Sequence, residues 1–169
     1  VDSDVLFKED EIEMAKDVPY RFGTPFEAQF NLDNSGVWED VSKGRIWRMS
    51  IKSKDAFSIN LLYDRFVLPE GAELFVYDEE METVLGSFTY INNKSHETFS
   101  TSPTKGDVTI LEYFEPKGAE FHGEIQINRV VHAYRDIFFN ESRGYGDSGS
   151  CNNNVNCPEF DDWQNEVRA

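Results

Sequence analysis

The chain has 169 residues, and its 32 Asp and Glu outweigh 16 Lys and Arg to leave a formal charge of −16. That balance argues against nucleic acid and against anionic membranes, because both need a basic surface, and it fits a solvated, self-repelling exterior. The length suits one domain with a substantial core plus tails, no run approaches the roughly 20 apolar residues of a membrane span, and no charged-then-apolar leader is present.

The chain begins at Val1 rather than Met, which fits removal of a signal peptide or an arbitrary boundary. Residues 1–24 read as an irregular acidic N-terminal arm, in which Leu6, Phe7, Ile12 and Met14 offer at most a short helix. From Phe26 the period becomes two. Phe26, Ala28, Phe30 and Leu32 alternate with polar residues, and Asn34-Ser35-Gly36 then marks a turn.

Trp47, Met49 and Ile51 predict one face of a strand over residues 45–51. Phe57, Ile59, Leu61 and Tyr63 form a third alternating set, and Pro69-Glu70-Gly71 turns the chain into a strand over 73–77. Further strands are expected at 84–90, 98–101, 108–113 and from 124 to about 134, separated by Asn92-Asn93, Lys105-Gly106-Asp107 and Pro116-Lys117-Gly118. Short strands at regular spacing predict an all-β fold over residues 25–139, an antiparallel sandwich or jelly roll of about eight or nine strands. The many Phe, Tyr and Trp residues fall mostly on alternating positions and read as core filling.

After Phe139 the pattern stops. Residues 140–149 are polar and rich in Gly and Ser, the composition of an exposed linker, and an extended tail follows. Gly146-Asp147-Ser148-Gly149 matches the peptide around the nucleophile of trypsin-like proteases, where glycines shape the oxyanion hole. However, His132 is followed by Ala133-Tyr134 inside an expected strand, and nothing upstream of Ser148 arranges a triad. Gly, Asp and Ser are also ordinary linker residues.

His96, His122 and His132 have no second His or Cys at metal-ligand spacing, so neither a metal nor a cofactor is expected, and His132 reads as a packed histidine. Asp78-Glu79-Glu80 and Asp161-Asp162 lack the alternating oxygen ligands of a calcium loop and read as solvated turns. Cys151 and Cys157 are the only cysteines. They pair with each other across a five-residue loop, or each pairs with a cysteine outside this chain, and spacing alone does not decide.

The segment Gly149-Ser150-Cys151-Asn152-Asn153-Asn154-Val155-Asn156-Cys157-Pro158-Glu159, followed by Asp162-Trp163 and Val167-Arg168-Ala169, resembles the start of the mature catalytic domain of lysyl endopeptidase-type proteases. These are secreted bacterial enzymes with the trypsin fold. The preceding residues are similar to the domain upstream in their precursors, through Ser35-Gly36-Val37-Trp38-Glu39, Gly44-Arg45-Ile46-Trp47-Arg48, Ala56-Phe57-Ser58-Ile59-Asn60-Leu61, Phe66-Val67-Leu68-Pro69-Glu70-Gly71-Ala72, Gly106-Asp107 and His132-Ala133-Tyr134-Arg135.

The resemblance implies that residues 150–169 open a protease domain and that Cys151 and Cys157 have disulfide partners outside this chain. It implies a catalytic triad also outside it, so this chain is not itself expected to be an enzyme. Ser148 then falls just before the first cysteine rather than in a nucleophile loop. It further implies a secreted precursor, extracellular or periplasmic, cut within 140–149, where Arg143-Gly144 is the basic candidate. A strictly Lys-specific enzyme would not cut there itself. The expected function is therefore a propeptide that folds or inhibits a cognate trypsin-like protease domain. A carbohydrate- or surface-binding module appended to a protease is the alternative, with Trp38, Trp47 or several Tyr as its stacking platform.

Overall fold

The computed structural model describes residues 1–14 and 21–138, and within them a helix precedes a two-layered antiparallel β-sandwich. The helix is α1 (Ser3–Met14). The strands are β1 (Gly23–Asn31), β2 (Val37–Val41), β3 (Gly44–Lys52), β4 (Ser58–Val67), β5 (Glu73–Asp78), β6 (Val84–Phe88), β7 (Phe99–Ser100), β8 (Thr104–Lys105), β9 (Val108–Pro116) and β10 (Glu124–Ala133). One sheet runs β1-β10-β4-β7, with β8 also on β4. The other runs β2-β3-β9-β5-β6. Residues 140–169, and with them the expected linker and tail, lie outside the described residues.

The sandwich follows from the alternation. Trp47, Met49 and Ile51 of β3, Leu74 and Val76 of β5, and Leu111 and Tyr113 of β9 meet Ile59, Leu61 and Tyr63 of β4 and Ile125 and Ile127 of β10 between the layers. Trp47 is fully buried, and its indole N–H donates to the Ser35 carbonyl at 2.7 Å, so its one polar atom is satisfied. That contact explains Gly36. Its φ is +70°, and a Cβ there would lie 2.6 Å from Nε1 of Trp47.

Four expectations need correction. Residues 1–24 are not wholly an irregular arm, because 3–14 form α1, with Asp2 Oδ1 accepting the Val5 N–H at 3.3 Å as a helix cap. Phe57 does not share the face of Ile59, Leu61 and Tyr63; it precedes β4 and stays 49% exposed. Phe26 is also exposed, at 47%, although it lies opposite buried Val130, because β1 is the edge strand of its sheet; Ala28, Phe30 and Leu32 keep the expected alternation toward the core. Two strands were not anticipated. β2 forms a hairpin with β3 through residues 42–43, and β8 contributes only two residues, so the described residues hold ten strands.

Leu111→Ala should destabilise the domain by about 2–5 kcal/mol in equilibrium urea unfolding, because the site is fully buried between two sheets. The same truncation at exposed Ile91 should stay within about 0.5 kcal/mol.

Candidate functional site

Among the described residues, three groups of polar side chains are built well enough to be tested for chemistry. The first is centred on Glu115. In the β3–β9 ladder Arg45 lies directly opposite Glu115, on the inner face and one alternation beyond Trp47 and Tyr113. Arg45 donates to Glu115 Oε1 from Nε at 2.9 Å and from its terminal nitrogen at 2.6 Å. The loop between β9 and β10 folds back to add His122 Nδ1 at 2.9 Å and the Gly123 N–H at 2.9 Å, and the Tyr113 hydroxyl donates at 3.1 Å. The Arg45 guanidinium lies 4.0 Å over the Trp38 ring. Gly123 is required here, because a Cβ would meet the Tyr113 hydroxyl at 2.1 Å.

Burial alone would push the Glu115 carboxyl upward. The Gly123 N–H, His122 and Arg45 outweigh that and hold it below the ordinary glutamate value. A carboxylate so held is a poor acid, and its saturated lone pairs make it a poor base. The adjoining cavity of about 270 Å³ is lined by Asp40, Gly44, Arg45, Lys117, Gly118 and His122. It is small beside the roughly 300–1,000 Å³ of ordinary ligand sites. The group's evident work is to clamp the β9–β10 loop onto the end of the sandwich.

The second group pairs Ser53 Oγ with His132 Nδ1 at 2.8 Å, a contact that resembles an activated nucleophile. Its surroundings do not. His132 is 1% exposed, and burial depresses its pKa, so the ring is kept neutral behind the strand with no open approach. Asp55 acts on the ring through its charge alone. The packed-histidine expectation describes this residue.

The third group lies where β10 ends. Asp10 of α1, only 6% exposed, accepts from the Tyr134 hydroxyl at 2.8 Å, from Arg21 Nε at 2.9 Å and from Arg135 at 2.8 Å. Phe7 packs edge-on to Tyr134 with centroids 5.6 Å apart, and Arg135 covers the Phe7 ring at 4.8 Å. Burial raises the Asp10 pKa, but bonds from Arg135, Tyr134 and Arg21 more than offset it and leave the carboxyl below its usual range. This group ties the helix to the end of the last strand. Tyr134 and Arg135 stand out in the sequence, whereas Asp10 does not. The one available signal was an acid flanked by Leu6, Phe7 and Ile12 in an otherwise solvated segment.

The remaining sequence candidates separate. Arg143, Gly144, Ser148, Cys151 and Cys157 lie outside the described residues, as do Asp161 and Asp162. His96 is exposed and bonds locally to the Thr98 N–H and hydroxyl. Asp78 accepts the N–H groups of Glu80, Glu82 and Thr83, so it organises the β5–β6 turn. No group of three or more His, Cys, Asp or Glu able to hold a metal occurs among the described residues. Trp47 is wholly buried. Trp38 is half-buried, donates from its indole to the Leu32 carbonyl and packs edge-on to Tyr113. Tyr63, Tyr113 and Tyr134 are also buried, so these rings make no exposed row on which a sugar would stack. No protein-family model matches the chain.

Acid should weaken the fold in two stages. Below about pH 6.5 the unfolded His132 takes up a proton that the folded ring resists, so stability falls as pH falls through that range. Near and below about pH 4 the contributions of Glu115 and Asp10 are lost, since both folded pKa values lie beneath their unfolded ones. Urea midpoints measured from pH 8 to pH 2.5 should show both limbs. Glu115→Gln should lower stability at pH 7 by about 1–3 kcal/mol and flatten the lower limb.

Proposed function

We propose that this chain carries the propeptide of a secreted, lysyl endopeptidase-type serine protease precursor, followed by the first residues of its catalytic domain. The observation that carries the reading is positional. Strand β10 closes the sandwich at Ala133, and the Cys151-to-Glu159 segment that resembles the mature N-terminus follows within about 20 residues, a short linker's length. The sandwich holds a full core of its own, as a domain acting on a neighbour requires. Its polar clusters are saturated or sealed, which suits a role through binding rather than turnover.

In this reading the sandwich stabilises the folded protease or blocks its substrate cleft. Either effect needs only a preference for one protease state, and a cut within 140–149 removes the tether that enforces it. Arg143-Gly144 is the proposed processing bond, cut by a parent that accepts Arg or by another protease. Cys151 and Cys157 would then each bond to a cysteine of the catalytic domain outside this chain. The carbohydrate-binding alternative loses its named platform, since Trp47 is wholly buried and the half-buried Trp38 ring is covered by Arg45 at 4.0 Å.

The purified chain should bind the cognate mature protease at micromolar concentration or tighter and should not hydrolyse fluorogenic Lys or Arg peptides. Absence of binding at that concentration would remove the propeptide reading, and turnover by the chain would replace it with an enzymatic one. Arg143→Gln in the full precursor should delay maturation on a pulse-chase gel. Unchanged timing, with a new N-terminus mapped elsewhere, would move the processing bond.

A further inference from the structure

The outer face of the β2-β3-β9-β5-β6 sheet breaks the usual rule for a sandwich. A solvent-facing antiparallel sheet ordinarily alternates apolar inward and polar outward. Here β9 turns Leu111 and Tyr113 inward and Ile110 and Phe114 outward. The ladders fix what lies beside them. Phe114 is opposite Ile46 of β3, Ile110 is opposite Tyr77 of β5, and Tyr77 is opposite Val84 of β6. Phe75 of β5 faces Glu112, which stands between Phe114 and Ile110 on the same strand. Val37, 72% exposed, and Val84, 55% exposed, mark the two margins. The alternation thus puts one apolar patch across all five strands, on the side away from the core.

The charges on this face lean acidic, with Glu39, Glu73 and Glu112 against Arg48 and Lys52, and Lys52 lies at its far end beside Asp107 at 3.7 Å. Arg48 lies in the middle, held by Glu39 at 2.9 Å and Glu112 at 2.7 Å, so its charge is already neutralised. Glu73 adds a further outward carboxylate beside Phe114. The patch is therefore apolar with an acidic margin, on a chain of net charge −16. A second copy would bring Glu39, Glu73 and Glu112 against their own kind. A five-stranded face of this length offers roughly 400–500 Å². That is about half of the ~800 Å² per partner found in stable complexes. A partner held by this face is thus bound weakly unless something else keeps it near.

We infer that this outer face is the surface through which the sandwich holds its cognate protease, against an apolar area of the protease flanked by Lys or Arg. The inference rests on the propeptide reading and names the contact surface within it. A covalent tether raises the effective concentration of a neighbour to about millimolar, which makes a small apolar interface sufficient before cleavage. Once the linker is cut, the same interface holds only while both partners stay at about micromolar concentration, and dilution releases them.

The test uses the full chain and the cognate mature protease with its catalytic serine replaced by alanine, measured by calorimetry at two salt concentrations. Phe75→Thr with Phe114→Thr keeps β-compatible side chains and should weaken binding at least tenfold, with the urea midpoint recorded to verify folding. Glu39→Lys with Glu73→Lys, at exposed positions, should also weaken binding and reduce its salt dependence. If the unaltered chain binds and both variants bind equally well, the face is wrong while the propeptide reading stands. If the unaltered chain does not bind, the reading itself fails and the face loses its occupant. A chain that dimerises at micromolar concentration, and that Phe75→Thr with Phe114→Thr renders monomeric, would assign the face to a second copy instead.

Discussion

The register of β9 is the constraint on which most of this structure depends. It pairs with β3 over nine consecutive positions and with β5 over six, with no bulge on either side. An unbroken ladder makes side-chain direction strictly alternate, and a one-residue slip would exchange the two faces completely. Leu111, Tyr113 and Glu115 therefore must point inward together, and Ile110, Glu112 and Phe114 outward together. The core, the Glu115 clamp and the outer apolar patch are three consequences of one pairing. The Glu115 group reinforces that pairing in turn, since Arg45 reaches it across the same ladder and the following loop is bonded to it by His122 and Gly123.

The facing sheet is built differently. β10 shifts register against β4 on either side of Ile127, and β1 shifts against β10 between Glu27 and Phe30. Bulges add twist and let a strand redirect its side chains, and here the shifts keep Ala28 and Phe30 of β1 packed against the core with Ile127 and Val130 of β10. Asp10 compensates at the end where that sheet meets the helix. A helix of 12 residues has little stability alone, so its position comes from the carboxylate and Phe7 seated on Tyr134. Its other face keeps Val5 and Ile12 in solvent, which explains why no clean amphipathic pattern announced it.

What was legible in the sequence tracks these differences. Where the ladder is regular, period-two reading placed Trp47, Met49, Ile51, Leu74, Val76, Leu111 and Tyr113 on strands, and the sandwich followed. It erred where the chain changes phase just outside a strand. Phe57 continues the apparent alternation of Ile59 and Leu61, yet its backbone N–H bonds to the Ala133 carbonyl before β4 begins. β2 escaped notice because Val37, Trp38 and Val41 do not alternate cleanly. It exists because β3 offers an edge and residues 42–43 close a tight hairpin. Polar clusters were less legible still. Glu115 and His122 are near in sequence, but Arg45 lies 70 residues earlier, and only the β3–β9 register brings it opposite.

Strong negative charge and an outward apolar patch would ordinarily be conflicting features, one favouring solubility and the other association. On the proposed propeptide, which would hold a neighbour only until a linker is cut, they would cooperate. Repulsion between copies keeps the patch from pairing with itself, a protection that an edge strand or exposed sheet face otherwise needs from bulges or inward charges. The proposed partner, with basic margins, would meet the opposite field and be admitted. In that proposal the patch would supply contact energy useful mainly at high effective concentration, and the acidic margin would select the surface that receives it. The proposal would thus assign affinity to Phe75, Phe114 and Ile46 and discrimination to Glu39 and Glu73. Such an arrangement favours temporary association over a permanent complex.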